Sequence, residues 1–290
     1  MNILVTGANG QLGNEIRRMA EGSCHRFIFT DVSEVPGVET VHLDITDIDA
    51  IRIIAESGNV DAIINCAAYT NVEKAEDDLA MAELLNRNAP GNLATVAAER
   101  NAIFFHISTD YVFPGDSCKP VREDEQTNPQ SVYGATKLAG EKAVADSGCK
   151  SIIIRTAWLY SPYGKNFVKT MLKLTAEKDS IKVVCDQVGT PTYAADLAAF
   201  IMHIIDNGSF VPGIYHFSDE GAISWYDFAQ AICRKSGHKC NIQPCMTEEF
   251  PAKAARPHYS VLDKSLAKKT FGITIPYWED SLDDCLKRLG

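Results

Sequence analysis

The sequence predicts an α/β fold, a doubly wound parallel sheet with a smaller C-terminal domain, and three observations predict it. Short apolar runs rich in β-branched residues alternate with amphipathic stretches through the first half; a glycine-rich turn directly follows the first run; and the alternation weakens after about residue 158. A parallel strand covered on both faces reads as continuous apolar sequence, which is the character of these runs. At 290 residues the chain exceeds the commonest single core and suits two domains of roughly 150 residues each.

Taken in order, the strand candidates are 3–5, 26–30, 62–65, 103–108 and 151–155, and the helix candidates between them are 11–20, 48–56, 80–99 and 131–146. Turn-rich segments at Ser161-Pro162-Tyr163-Gly164, Asp206-Asn207-Gly208 and Glu249-Phe250-Pro251 mark the changed pattern beyond. We expect a first domain over 1–158, joined by a helix near 194–206, and a smaller substrate-binding domain from 159–193 and 207–290. No repeat, low-complexity tract or Gly/Ser linker separates them, so the two should pack together.

Composition narrows the class of function. With 46% hydrophobic and 23% charged residues this is an ordinary globular chain, and a net charge of −10 repels nucleic acids and anionic membranes. Any phosphate ligand must therefore be held by local groups. The nine cysteines include no CxxC pair and no zinc-like Cys/His cluster, which reads as reduced structural thiols with no metal site. Met1 leads straight into the first strand with no leader, and the longest apolar run, near 197–205, is far short of the roughly 20 residues that cross a bilayer. A cytoplasmic protein without a membrane span is expected.

The first run enters Thr6-Gly7-Ala8-Asn9-Gly10-Gln11-Leu12-Gly13, placing Gly7, Gly10 and Gly13 in a GxxGxxG spacing that opens a helix. Glycines there permit positive φ and let backbone amides approach a diphosphate lying on the helix's positive end. A second strand ends in Asp31, about 20 residues on, where an acidic side chain accepts hydrogen bonds from an adenosine ribose. The context is that of a Rossmann-type dinucleotide site, and Asp31 favours NADH, while Arg17 and Arg18 keep NADPH open. Asp44 and Ile45 follow the third apolar run, where they would border the adenine; Asp47 is the better cap for the helix from Ile48.

Tyr133 and Lys137 stand four apart, on one helix face. A tyrosine acting as acid or base near neutrality needs a neighbouring cation to favour its phenolate, and Lys137 is so placed. By itself YxxxK is common and fits an ordinary surface helix. Its weight comes from Ile107-Ser108-Thr109-Asp110-Tyr111-Val112-Phe113, an apolar strand ending in hydroxyl residues at the end where such folds carry their sites. Thr109 would hydrogen-bond a carbonyl, Tyr133 deliver a proton, and a nicotinamide supply hydride.

With these residues in view, the chain resembles the extended short-chain dehydrogenase/reductase family along its whole length, and within it the reductases of nucleotide-linked keto-sugars. The resemblance rests on 6–13, Asn65-Cys66-Ala67-Ala68-Tyr69-Thr70, Ser108 to Gly115, 132–141, Arg155-Thr156-Ala157-Trp158 and Arg256-Pro257-His258. It implies reduction of the 4-keto group of dTDP-4-dehydro-6-deoxy-L-mannose by NADPH or NADH, giving dTDP-L-rhamnose for surface polysaccharide. It also implies that Tyr133 is the proton donor, that Lys137 holds the nicotinamide ribose while lowering the Tyr133 pKa, and that Thr109 meets the carbonyl. Gly10, Gln11, Leu12, Asp31, Asp44, Ile45, Ala67, Ala68 and Tyr69 map to the cofactor, and Thr109, Asp110 and Trp158 to the sugar. Trp158 is equally readable as a core aromatic, and Arg256 as either a diphosphate ligand or a surface ion pair.

Some members of the family dimerise through magnesium on acidic side chains. Here only Glu15 falls on such a position, with Ala195 where another carboxylate is expected, so a homodimer stays open and no metal is predicted. Cys66, with no histidine suggested beside it, reads as packing. Three rivals share the fold. A dehydratase needs a carboxylate where Tyr111 stands; an epimerase needs room for its keto intermediate to turn; a silent regulatory subunit tolerates loss of Thr109, Tyr133 and Lys137, all of which are present.

Overall fold

The computed structural model describes residues 1–289. β1 (Asn2–Thr6) leads into α1 (Gln11–Ala20), β2 (Arg26–Asp31), the short β3 (Val41–His42), α2 (Ile48–Ser57) and β4 (Ala62–Asn65). The short helices α3 (Val72–Ala75) and α4 (Leu79–Glu83) run through a π-helical turn at Leu84–Asn88 into α5 (Ala89–Glu99), β5 (Ile103–Thr109), α6 (Val132–Asp146) and β6 (Lys150–Thr156). These bounds follow the sequence expectation closely. The exception is the stretch 80–99, where the π turn directs Asn86 inward: its side chain donates to the Tyr69 carbonyl (3.1 Å) and to Thr136 Oγ1 (3.2 Å) of α6.

Beyond residue 158 come β7 (Leu159–Tyr160), α7 (Phe167–Glu177), β8 (Ser180–Val184), β9 (Val188–Gly189), β10 (Thr192–Tyr193), α8 (Ala194–Asp206) and β11 (Gly213–His216). The chain ends with β12 (Ile223–Ser224), α9 (Trp225–Lys235), β13 (Asn241–Cys245), α10 (Ser265–Phe271) and α11 (Trp278–Leu289). The main sheet has the order β3-β2-β1-β4-β5-β6-β11, and every neighbouring pair in it is parallel.

Side chains alternate through the sheet into two cores. Ile3, Val5, Ile64, Phe105 and Ile154 face Leu12 and Ile16 of α1 and Leu197 and Ile201 of α8. Leu4, Ile63, Phe104 and Ile153 face Ile51 of α2 and Leu93 and Val96 of α5 on the other side. The period-two placement makes both faces apolar, the condition for a doubly wound sheet. A third cluster, with Tyr160, Phe228, Ile232, Trp278 and Leu282, joins α9 and α11 to the start of the second half. β11 corrects the sequence boundary: Gly213–His216, given to the smaller domain, pair with Ile152–Arg155 of β6 and form the sheet's edge. The crossover through α8 returns the chain to the sheet once more after its alternation has faded.

Two contacts tie the start of the chain down. Gly7 turns from β1 with φ +62°, and a Cβ there would stand 2.6 Å from the Ala67 amide nitrogen. Glu15 of α1 is fully buried and accepts from Arg18 (3.1 Å) and, through both oxygens, from Arg288 Nη1 of α11 (2.8 and 2.9 Å). The carboxylate singled out as a metal position is thus engaged by two guanidinium groups. Among the described residues no three His, Cys, Asp or Glu side chains gather as a metal set.

Two stability predictions follow from these contacts. Gly7→Ala adds strain and a backbone clash together, and urea denaturation should show a loss of about 1–3 kcal/mol. Arg288→Met strips one partner from a buried carboxylate and should cost roughly 3 kcal/mol, while Arg288→Lys retains part of it; equal midpoints for all three proteins would contradict the pairing.

Candidate active site

Strand order reverses between β1 and β4, so their crossovers leave on opposite faces and a crevice opens at the carboxyl ends. A cavity of about 720 Å³ occupies it, within the roughly 300–1,000 Å³ of ligand sites. At one end it is lined by Gly7, Gly10, Gln11 and Leu12, with Asp31 from β2, Asp44, Ile45, Ala68 and the adjoining Ala67. At the other end stand Thr109, Asp110, Tyr133, Lys137 and Trp158. Residues from seven separate segments of the sequence thereby share one space.

The glycine end suits an anion. No side chain caps α1 at Gly10, which leaves its first amides and their partial positive charge facing a ligand. Asp31 is fixed in place: Oδ2 accepts from the Asn9 amide (3.0 Å) and Oδ1 from the amide and hydroxyl of Ser33 (2.9 and 2.7 Å). Asp44 is set likewise by Thr46, while Asp47 caps α2 through the amides of Asp49 and Ala50. Arg17 and Arg18 do not line the cavity. Arg17 lies over Phe29, 4.1 Å from the ring centre, and donates to the Glu39 carbonyl (2.8 Å); Arg18 is paired with Glu15.

At the other end, α6 begins at Ser131, whose hydroxyl accepts from the Gly134 amide (3.1 Å), and presents Tyr133, Lys137 and Glu141 along one face. Glu141 is buried between Arg155, which donates through Nε (2.9 Å) and Nη2 (2.7 Å), and Ser108 Oγ (2.5 Å). Lys137 is buried too, and its Nζ donates to the Ile107 carbonyl (2.6 Å). Burial pushes the Lys137 ammonium down to about 8, with Glu141 opposing. Thr109 donates to Asp110 Oδ1 (2.9 Å), and burial raises the Asp110 carboxyl to about 6.

The expected lowering of Tyr133 is corrected. Burial raises its phenol above the usual tyrosine range, with the Thr109 hydroxyl opposing, and the Lys137 ammonium is directed to a backbone carbonyl. The phenol is thus protonated at neutral pH, the form a proton donor requires.

Three further candidates make contacts of their own away from the cavity lining. Tyr69 lies outside the cavity lining: its hydroxyl donates to Asp78 (3.2 Å) and its amide to Asn86 (2.9 Å). Gly13 lies outside as well and serves packing, since a Cβ on it would be 2.5 Å from the Gly7 carbonyl oxygen. Arg256 forms the ion pair offered as one of its two alternatives, donating to Glu73 (2.5 Å) and to the Tyr111 hydroxyl (3.3 Å). Tyr111 itself lines the cavity and packs edge-on against Tyr133, ring centres 5.5 Å apart, so no carboxylate occupies the position a dehydratase needs.

Sequence reasoning missed Trp225 and Lys165. Trp225 stacks on Trp158 with ring centres 3.5 Å apart and both rings border the sugar end; Trp158 has a positive φ of 48°. Its one legible signal is the Ser224/Asp227 capping box that sets the start of α9. Cys66 lines the cavity as a thiol pushed well up by burial, which fits packing.

Known proteins match the chain over its whole length. The family model described as the RmlD substrate binding domain matches residues 1–290. A dTDP-4-dehydrorhamnose reductase of Burkholderia thailandensis is 36% identical over 304 residues, covering 100% of this chain and 99% of its own. The crystal structure of a dTDP-4-dehydrorhamnose reductase from Clostridium acetobutylicum superposes with a TM-score of 0.93 at 44% identity, covering 100% of this chain and 99% of that one. That of Bacillus anthracis, in complex with NADP, gives 0.91 at 37% identity, covering 99% of each. With a catalytic-type Tyr and Lys on one helix face, a glycine turn at the switch point and full-length agreement with these proteins, the chain belongs to the RmlD substrate-binding-domain family of α/β reductases.

Proposed function

We propose that this chain is an NADPH- or NADH-dependent oxidoreductase that reduces the 4-keto group of dTDP-4-dehydro-6-deoxy-L-mannose to give dTDP-L-rhamnose, a cytoplasmic step toward surface polysaccharide. One observation carries the reading: the glycine turn with Asp31 and the Thr109, Tyr133 and Lys137 group bound a single cavity from its two ends. The names borne by the full-length relatives supply the substrate. The net charge of −10 leaves nucleic acid out as a partner, and among the described residues no helix is long and apolar enough to cross a membrane.

The cavity fits a dinucleotide on its own chemistry: uncapped amides at α1, an acidic acceptor at the end of β2 and the small residues Ala67 and Ala68 in the lining. When bound, the nicotinamide supplies the hydride. The chain's residues do the rest. Thr109 orients the substrate carbonyl by hydrogen bonding, and the neutral Tyr133 phenol passes its proton to the oxygen as negative charge develops there. Lys137 is fixed by the Ile107 carbonyl, and its remaining protons would hold the ribose of a bound dinucleotide. Trp158 and Trp225 close the sugar end with flat apolar faces.

Tyr133→Phe removes the hydroxyl that carries the transferable proton and leaves the ring. Its turnover, followed at the 340 nm band of the reduced nicotinamide with substrate generated in situ, should fall about 100-fold or more while cofactor affinity holds. Wild-type activity in this variant would reject the assignment of the proton donor. Asp31→Ala should raise the Michaelis constant for NADH more than that for NADPH, because the lost acceptor serves an unmodified ribose; unchanged constants for both would place the ribose elsewhere.

A further inference from the structure

Lys165 lines the cavity from the turn that follows β7, beside Gly164. This turn is fastened to the start of α1. Gln11 Oε1 accepts from Ser161 Oγ (3.1 Å) and from Asn166 Nδ2 (2.9 Å), and a Cβ on Gly164 would approach Gln11 Cγ to 3.3 Å. Residues 161–166 are consequently held over the place where the uncapped amides of α1 open into the cavity.

The cations around this crevice have separate employments. Arg17 is on Glu39 and Phe29, Arg18 on Glu15, and Lys137 on the Ile107 carbonyl at the catalytic end. Lys165 is exposed, and among the described residues it makes no ion pair. In a chain of net charge −10 an approaching diphosphate meets an unfavourable distant field, so a local positive group must offset it. Backbone amides supply partial charge from one side only.

We propose that Lys165 is a binding residue for the diphosphate of the dinucleotide, meeting it from the side opposite the α1 amides, with Gln11 acting as the tether that holds its turn in reach. The inference rests on the cofactor reading above. It gives Gln11 a side-chain role besides the backbone contact expected of it. Because NADH and NADPH share the diphosphate, the lysine serves both alike.

The test uses the full chain with Lys165→Ala, Lys165→Glu and Lys165→Arg, titrated with NADH and NADPH by fluorescence at low and high salt. Lys165→Ala should weaken both dinucleotides by about tenfold, Lys165→Glu by more, and Lys165→Arg should recover most of the affinity. High salt should shrink the gap between Lys165→Ala and wild type, since an exposed cation is screened. Affinities unchanged for both dinucleotides overturn the proposal. So does a loss confined to NADPH, which assigns the lysine to the 2′-phosphate, or a higher Michaelis constant for the sugar nucleotide alone, which assigns it to the substrate. A wild-type chain that binds neither dinucleotide overturns the cofactor reading itself, and the two failures are thereby told apart.

Discussion

The site exists because β1 and β4 are neighbours whose connections depart in opposite directions. A parallel strand must be followed by a right-handed crossover, so reversing the strand order sends one helix to each face and leaves the carboxyl ends between them uncovered. The start of α1 points into that gap, and Thr109 and Asp110 emerge at the end of β5, one strand beyond β4. Gly7 and Gly13 allow the helix to come this close, since side chains at either would meet the backbone of Ala67 or of the turn itself. Anion binding and catalysis thus share a topological origin, and the residues serving them lie far apart in the chain.

Charge is arranged around this gap in an economical order. The protein is acidic overall, yet the catalytic end buries Glu141, its guanidinium partner Arg155 and Lys137. Glu141 is satisfied by a bidentate guanidinium and a hydroxyl, so its charge is compensated where it sits. The Lys137 ammonium is left with only a carbonyl and a distant carboxylate, which is why burial weakens its hold on a proton. Tyr133 responds to the same dry surroundings in the sense opposite to the sequence expectation, remaining a neutral acid.

What was legible in the sequence was local. The glycine spacing, the apolar runs and the four-residue interval from Tyr133 to Lys137 are periodicities that a few turns of backbone decide, and each lies where its pattern puts it. Arg256 was not legible, because its choice between a ligand and an ion pair is made by Glu73, 183 residues away. Tyr69 sits next to cavity residues, but Asp78 and the inward Asn86 of an unforeseen π turn claim its polar atoms. Gly213–His216 joined the sheet after a long excursion that blurs the alternation, and Trp225 reaches the cavity only through the packing of α9. Each of these depends on partners outside its own periodic segment, which residue patterns do not encode.

The stacked pair at the sugar end carries a further consequence. The chain has three tryptophans, and two of them, Trp158 and Trp225, lie face to face on the cavity wall while Trp278 is buried in the third core. Trp158 follows the last long strand of the main sheet and Trp225 begins α9, so their stacking spans the two halves of the chain. Indole emission overlaps the absorption of reduced nicotinamide, and stacked indoles respond to small changes in separation. The protein therefore contains its own optical gauge, in which energy transfer reports the arrival of a reduced dinucleotide and the stacked pair reports the spacing of the walls around it.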